Sequence, residues 1–231
     1  MSLLSNSRAS GKPLLCYVTD RRSLPGGTPE TSLAALAQKI EQVVSAGVDW
    51  VQIREKDLTA RDLAGLTREV LRSTAKSTSS KAGAVRVLVN DRMDVALSEG
   101  AGGVHLGEKS LPIQEAKRLW QSCALNGASD FVFGVSCHSL EAARDAARSG
   151  ADYIFFGPVF VTPSKAAFGT PQGLEQLKQV CRAVTLPVIA IGGITFENTA
   201  FCIDAGAAGL AAIRLFQEAL DIPRLVSKLI G

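Results

Sequence analysis

The chain has no CxxC pair, no unbroken apolar run of about 18 residues and no strong excess of charge of either sign. Each absence excludes something. Without CxxC the cysteines offer no ready redox or zinc motif. They number five, at positions 16, 123, 137, 181 and 202, an odd count with several members inside apolar runs such as LLCYV. They are expected to be buried or half-buried free thiols of a reducing cytosol, not a disulfide framework. Without a long apolar run no membrane span is expected. The opening MSLLSNSRASGKP is polar and has no long apolar core, so no signal peptide is expected and the expected location is cytoplasmic. Lys plus Arg total 25 and Asp plus Glu total 22, a net charge of +3. That is too mild to imply nucleic acid as a partner. Any phosphate chemistry must come from local placement of charge.

What is present is alternation. The 231 residues, 46% hydrophobic and 20% charged, have globular composition, which excludes disorder as the main state. Short β-rich runs stand at 14–19, 48–54, 85–89, 102–106, 131–135, 152–156, 187–191 and 208–213. Helical patterns fall between and after them, at 31–46, 60–76, 91–99, 113–122, 139–149, 172–183, 195–205 and 215–229. Three links repeat one form: AGVDWVQI, SGADYIFF and AGAAGLAAI. A glycine there suits a left-handed helix end before a tight turn into a strand. Strands alternating with helices imply parallel pairing and right-handed crossovers. Eight such units in a chain of this length predict an α/β fold, a single-domain (β/α)₈ TIM barrel, with an open doubly wound sheet as the alternative. Residues 1–12 are expected to be a flexible N-terminal arm and 13–231 the barrel. The patch STSSKAG, 77–83, reads as a surface loop on the bottom face.

In such a barrel the chemistry sits at the C-terminal ends of the strands. Strand 2 ends in Gln52, Ile53, Arg54, Glu55 and Lys56, and alternation points Gln52, Arg54 and Lys56 the same way. Two cations and an amide there call for an anion, either a ligand or a carboxylate on a neighbouring strand. Strand 3 ends in Asn90-Asp91; Asp91 could ligate Mg²⁺ together with substrate phosphates or serve as a helix N-cap. His105 lies within strand 4 and reads as a core histidine. Ser136 and His138 follow strand 5, and His138 suits either a helix N-terminal contact or a general acid/base. The long segment 157–173 carries Thr162, Ser164 and Lys165 among Gly and Pro, which fits a phosphate-closing loop. Gly192-Gly193 after strand 7, with Arg214 after strand 8, suits a second phosphate. No Ser-His-Asp signature is present.

These residues, quoted in order as VQIREKD, VLVNDR, GVHLG, GVSCHS, FFGPVFVTPSK, IAIGGI and AGAAGLAAI, resemble the thiamine phosphate synthase and thiazole tautomerase superfamily over about residues 14–229. The resemblance implies a (β/α)₈ barrel. It also implies a transferase that condenses hydroxymethylpyrimidine pyrophosphate with thiazole phosphate, giving thiamine phosphate and pyrophosphate. By position, Gln52, Arg54 and Lys56 match the pyrophosphate- and pyrimidine-binding set, and Asn90 continues it. Asp91 matches a magnesium ligand. Ser136, Thr162, Ser164 and Lys165 match residues around the two phosphate groups, and Gly193 and Ile213 match the thiazole phosphate cradle. Arg54, Lys56, Lys165, Ser136 and His138 are the candidate catalytic side chains, and Arg214 a further substrate-binding one. Two positions depart from the synthase pattern. Ser110 stands where a second magnesium carboxylate is expected, with Glu108 nearby, and Arg214 stands where serine is expected. The implied cofactor is Mg²⁺, held by Asp91 and Ser110. The implied partners are small phosphorylated substrates, with a homo-oligomer possible. The tautomerase branch, which would use His138 as general acid/base without a metal, and a catalytically silent phosphate-binding protein are the alternatives.

Overall fold

Each of the eight apolar runs forms a strand in the computed structural model, which describes residues 11–26, 32–76, 85–123, 130–162 and 170–231. The strands are β1 (Leu14–Val18), β2 (Trp50–Ile53), β3 (Arg86–Asn90), β4 (Gly103–Leu106), β5 (Val132–Cys137), β6 (Tyr153–Phe156), β7 (Val188–Ile191) and β8 (Gly209–Ala212). They pair in parallel in chain order, and β8 returns to β1 to close the barrel. The open-sheet alternative is therefore excluded. Helices α1 (Ser32–Ser45), α2 (Ala60–Lys76), α3 (Met93–Glu99), α4 (Ile113–Cys123), α5 (Leu140–Arg148), α6 (Gly173–Ala183) and α7 (Thr199–Asp204) follow β1 to β7 in turn. The repeated αβ turns place Gly47, Gly150 and Gly206 at positive φ, as their spacing predicts.

Strands covered on both faces read as near-continuous apolar runs, and two cores account for this. One lies between the strands and the helices, with Leu36, Ile40, Val70, Leu177 and Val226 among its members. The other fills the barrel itself with Cys16, Trp50, Leu88, Tyr153, Phe155, Ile189 and Ala211. Inside the barrel β5 carries Gly134, where a Cβ would come within 1.9 Å of the Tyr153 ring. The missing side chain is what lets that ring cross the interior, edge-on to Trp50 with centroids 4.7 Å apart.

Three sequence expectations change here. The pattern at 215–229 is not one helix but two, α8 (Arg214–Gln217) and α9 (Ile222–Ile230). Asp221 caps α9 by accepting from the Arg224 N–H at 2.9 Å, and Pro223 sits in its first turn, where a missing N–H costs nothing. Asp91 is not a helix cap: it takes a left-handed φ of 61°, and Arg92 precedes α3 with no side-chain cap. Cys123 is exposed, while Cys16, Cys137 and Cys202 are buried and Cys181 half-buried; all five are free. Residues 1–10 of the expected arm, the 77–83 patch, Ser164 and Lys165 lie outside the described residues.

Candidate active site

The inward positions change character at the upper end of the barrel. Below are aromatic and aliphatic groups; above are Gln52, Asn90, His105 and Ser136. Gln52 is buried, and its Nε2 donates to Asn90 Oδ1 at 3.0 Å. Asn90 Nδ2 donates to Asp91 Oδ2 at 2.9 Å. The other oxygen, Asp91 Oδ1, accepts from the Gly107 N–H at 3.2 Å and from the Ser110 hydroxyl. Gly107 N–H also donates to Ser110 Oγ at 2.8 Å. Asp91 and Ser110 are thus neighbours, as the metal expectation requires. This exposed carboxylate, in an uncommon backbone conformation, is held by three donors, one from the end of β3 and two from the β4 loop, and is a placed group.

Alternation carries the argument for β2 only as far as Arg54. Beyond it, residues 55–58 form a turn in which the Leu58 N–H donates to the Glu55 carbonyl at 3.3 Å. Lys56 is therefore displayed by a turn, exposed, and not by the pleat. Glu55 is buried against Arg21, whose Nη1 donates to it at 3.0 Å. Arg21 also forms a two-pronged pair with Asp57, and Arg22 reaches Asp57 at 2.7 Å. The Arg21 guanidinium holds the Asp57 carboxyl down at about 2. These carboxylates are committed to the arginines of the β1 loop. Among the described residues neither Arg54 nor Lys56 has a carboxylate partner. Both line a cleft of about 310 Å³ with Asp20, Arg22, Glu55 and Asp57. The β1 loop is itself pinned by Gln217 of α8, buried, which donates to the Tyr17 hydroxyl and the Asp20 carbonyl and accepts from Ser23. Arg21 and Gln217 escaped the sequence reading. An Arg pair directly after a barrel strand was the available signal for the first; nothing local marked the second.

His105 is a core histidine, as expected, enclosed by Tyr153 and Phe155. Its ring nitrogens meet the Tyr153 hydroxyl at 3.0 Å and Ser136 Oγ at 2.9 Å. Burial pushes it down to about 3; the Asp91 charge opposes this and the Arg54 charge adds to it. Since the unfolded chain binds a proton near the ordinary value of 6.5 and the folded chain does not, stability falls as pH drops from 6.5 toward 3. Urea unfolding across that window should show this slope, and His105→Gln should flatten it. An equal slope in both proteins would show that His105 charges freely in the fold.

His138 lies one residue past β5. Its Nδ1 donates to the Gly157 carbonyl, and the cap of α5 is Ser139, which accepts from the Ala142 N–H at 3.0 Å. His138 therefore ties the end of β5 to the end of β6 instead of starting the helix. Burial pushes the neighbouring Cys137 thiol up to about 12, so it is no nucleophile at neutral pH. Thr162 is buried at the start of the long β6 loop. Gly192 and Gly193 have left-handed backbones with φ of 95° and 66°. Their expected role was to bare N–H groups to phosphate; the structure adds a packing cause. A Cβ on Gly193 would lie 2.5 Å from the Val161 carbonyl oxygen, and one on Gly192 would lie 2.5 Å from Pro158. Ile213 and Ile191 close the top of the inner core. Arg214 lies at the start of α8, with its Nε 4.0 Å from Glu218, the residue just past the end of that helix.

The geometry has counterparts. The family model described as thiamine monophosphate synthase matches residues 16–216. The chain belongs to the thiamine monophosphate synthase family. Among this family's curated members, a putative thiamine-phosphate synthase of Geobacter sulfurreducens is 43% identical over 199 residues, covering 86% of this chain and 84% of that one. The thiamine-phosphate synthase of Clostridium novyi is 35% identical over 208 residues, covering 90% and 92%. Among solved structures, a thiamine phosphate pyrophosphorylase from Pyrococcus furiosus superposes with a TM-score of 0.76 at 29% identity, covering 96% of this chain and 95% of that one. Family membership makes the mouth of the barrel, not its base, the place to look for chemistry. Among the described residues no cluster of three or more His, Cys, Asp or Glu could hold a metal, so a cation here would rest on Asp91 and oxygen donors beside it. No helix among them is long and apolar enough to cross a membrane.

Proposed function

We propose that the chain condenses hydroxymethylpyrimidine pyrophosphate with thiazole phosphate, releasing pyrophosphate and giving thiamine phosphate. The observation that carries this is the pair of cations, Arg54 and Lys56, which among the described residues have no carboxylate partner, at the barrel mouth beside the Gln52–Asn90–Asp91 chain. Free cations at a concave end are a receptor for a multiply charged anion. The synthase names of the relatives supply its identity.

In the reaction the pyrimidine-side C–O bond breaks and its electron pair leaves with pyrophosphate. The aminopyrimidine ring spreads the resulting positive charge, and the thiazole nitrogen then forms the new C–N bond. No protein nucleophile is needed. What the site must do is hold two anions and stabilise charge growing on the leaving group. Arg54 and Lys56 suit that task, and Lys165 and Ser164 join them by resemblance. Gln52 and Asn90, their amides fixed by one another and by Asp91, suit the pyrimidine edge. Gly193 and Ile213 suit the thiazole phosphate, with Arg214 as an extra cation.

Asp91 and Ser110 offer only oxygen donors, which fits Mg²⁺. One carboxylate suffices where substrate phosphate oxygens and water complete the shell. A bound Mg²⁺ supplies further charge neutralisation on the leaving pyrophosphate. The free cysteines favour a reducing, cytoplasmic setting. The tautomerase reading rested on His138; the bond of its Nδ1 to a backbone carbonyl leaves acid/base work at Nε2 open, and it is the relatives' names that do not favour that reading.

The deciding assay supplies both substrates to the purified protein with Mg²⁺ or with EDTA and follows thiamine phosphate. Product that depends on Mg²⁺ is the expected result. Absence of product in both conditions would refute the synthase reading.

A further inference from the structure

One hydrogen-bonded group below the mouth is absent from the charge-neutralising scheme. Tyr153 on β6 and His105 on β4 are wholly buried on either side of β5, and the ring of Tyr153 occupies space that Gly134 of β5 vacates. The only partner of the Tyr153 hydroxyl among the described residues is His105 Nδ1, at 3.0 Å. His105 Nε2 in turn meets Ser136 Oγ at 2.9 Å. Ser136, unlike the other two, is half-buried and reaches the open end.

Counting protons fixes the direction of this chain. A buried phenol that fails to donate strands a proton, which is costly. Tyr153 holds its proton, because burial raises its pKa well above the ordinary value, so it donates to Nδ1. An imidazole nitrogen that accepts bears no hydrogen, so His105 is neutral here, and a neutral imidazole that accepts at one nitrogen donates at the other. With Nδ1 accepting, Nε2 carries the hydrogen and donates to Ser136 Oγ. The Ser136 hydroxyl hydrogen is then released from the protein and faces the mouth.

We propose that Tyr153 and His105 are positioning residues: they lock the His105 tautomer so that Ser136 presents a hydrogen-bond donor, and not a lone pair, to an anionic phosphate oxygen of the substrate. The identity of that substrate rests on the synthase reading; the direction of the relay does not. The reverse arrangement, with Ser136 donating to His105, would turn an oxygen lone pair toward the anion and repel it. A buried tyrosine thereby sets, through one histidine, the polarity of a group at the surface of the site.

The test has two arms. In ¹⁵N-histidine NMR of the unsubstituted protein, without substrate, His105 should show the Nε2–H tautomer. The Nδ1–H tautomer, or an imidazolium at neutral pH, would overturn the relay whatever the protein's activity. In the second arm, Tyr153→Phe keeps the ring and removes the hydroxyl. It should shift His105 toward a mixture of tautomers and lower kcat/KM about tenfold, the size of one lost hydrogen bond. Ser136→Ala should lower it at least as much, and adding Tyr153→Phe to Ser136→Ala should cost nothing more. Additive losses would mean that Tyr153 acts only through packing, and would overturn the proposal. Should the unsubstituted protein form no thiamine phosphate, the synthase reading fails, and the tautomer still decides the relay.

Discussion

Asp91→Asn is expected to lower kcat/KM for thiamine phosphate formation by about a hundredfold to a thousandfold, the range seen when one preorganised electrostatic group is removed from a site. Asparagine is the right replacement. It tolerates the left-handed φ of 61° that Asp91 adopts, whereas alanine there would add about 1–2 kcal/mol of backbone strain. Its amide oxygen can still accept from Gly107 N–H and the Ser110 hydroxyl. What is lost is the charge, together with the acceptor for Asn90 Nδ2, an exposed bond that water can replace. The thermal midpoint should therefore move by no more than about 3 °C, as expected for less than 1 kcal/mol in a protein of this size. The Mg²⁺ concentration needed for half-maximal rate should rise. Full activity at unchanged Mg²⁺ would remove Asp91 from the site.

Gly193→Ala should have the largest effect on stability. The left-handed φ of 66° disfavours a side chain, and the new Cβ would meet the Val161 carbonyl oxygen at 2.5 Å and Phe160 Cβ at 2.8 Å. Neither neighbour is the free end of a flexible chain. The Phe160 N–H is bonded to the Gly192 carbonyl at 3.0 Å, and the Val159 N–H to the Ile191 carbonyl at 2.9 Å. Strain and overpacking together cost about 3 kcal/mol, which corresponds to a fall of about 6–12 °C in thermal midpoint. Activity at a temperature where the variant is still folded should fall as well, because the displaced segment leads into Thr162. A variant with the parent's midpoint would show that the two loops separate easily.

The barrel was legible because its cause is periodic. Parallel strands covered on both sides must be apolar throughout, and eight such runs, each with a helix pattern behind it, leave few topologies. Site residues were legible where the strand itself aims them: Gln52, Asn90, His105 and Ser136 all stand at inward positions. Legibility failed where the chain leaves the pleat. Alternation cannot place Lys56, since a turn begins at Glu55. It cannot foresee the left-handed Asp91, which is set by bonds from Gly107 and Ser110, distant in sequence. Tyr153 hid inside an apolar run, because an aromatic hydroxyl looks like core until its partner on another strand is known. The break between α8 and α9 could have been read from Asp221-Ile222-Pro223, a cap followed by a first-turn proline.

Trp50, Tyr153 and Phe155 plug the barrel from within, and this governs traffic. Among the described residues these side chains fill the interior and leave no back door. Two substrates and two products must use a single opening, so whichever ligand lies deeper must arrive first and depart last. Steady-state kinetics should therefore follow an ordered sequence, with the last product to leave competing against the first substrate to enter.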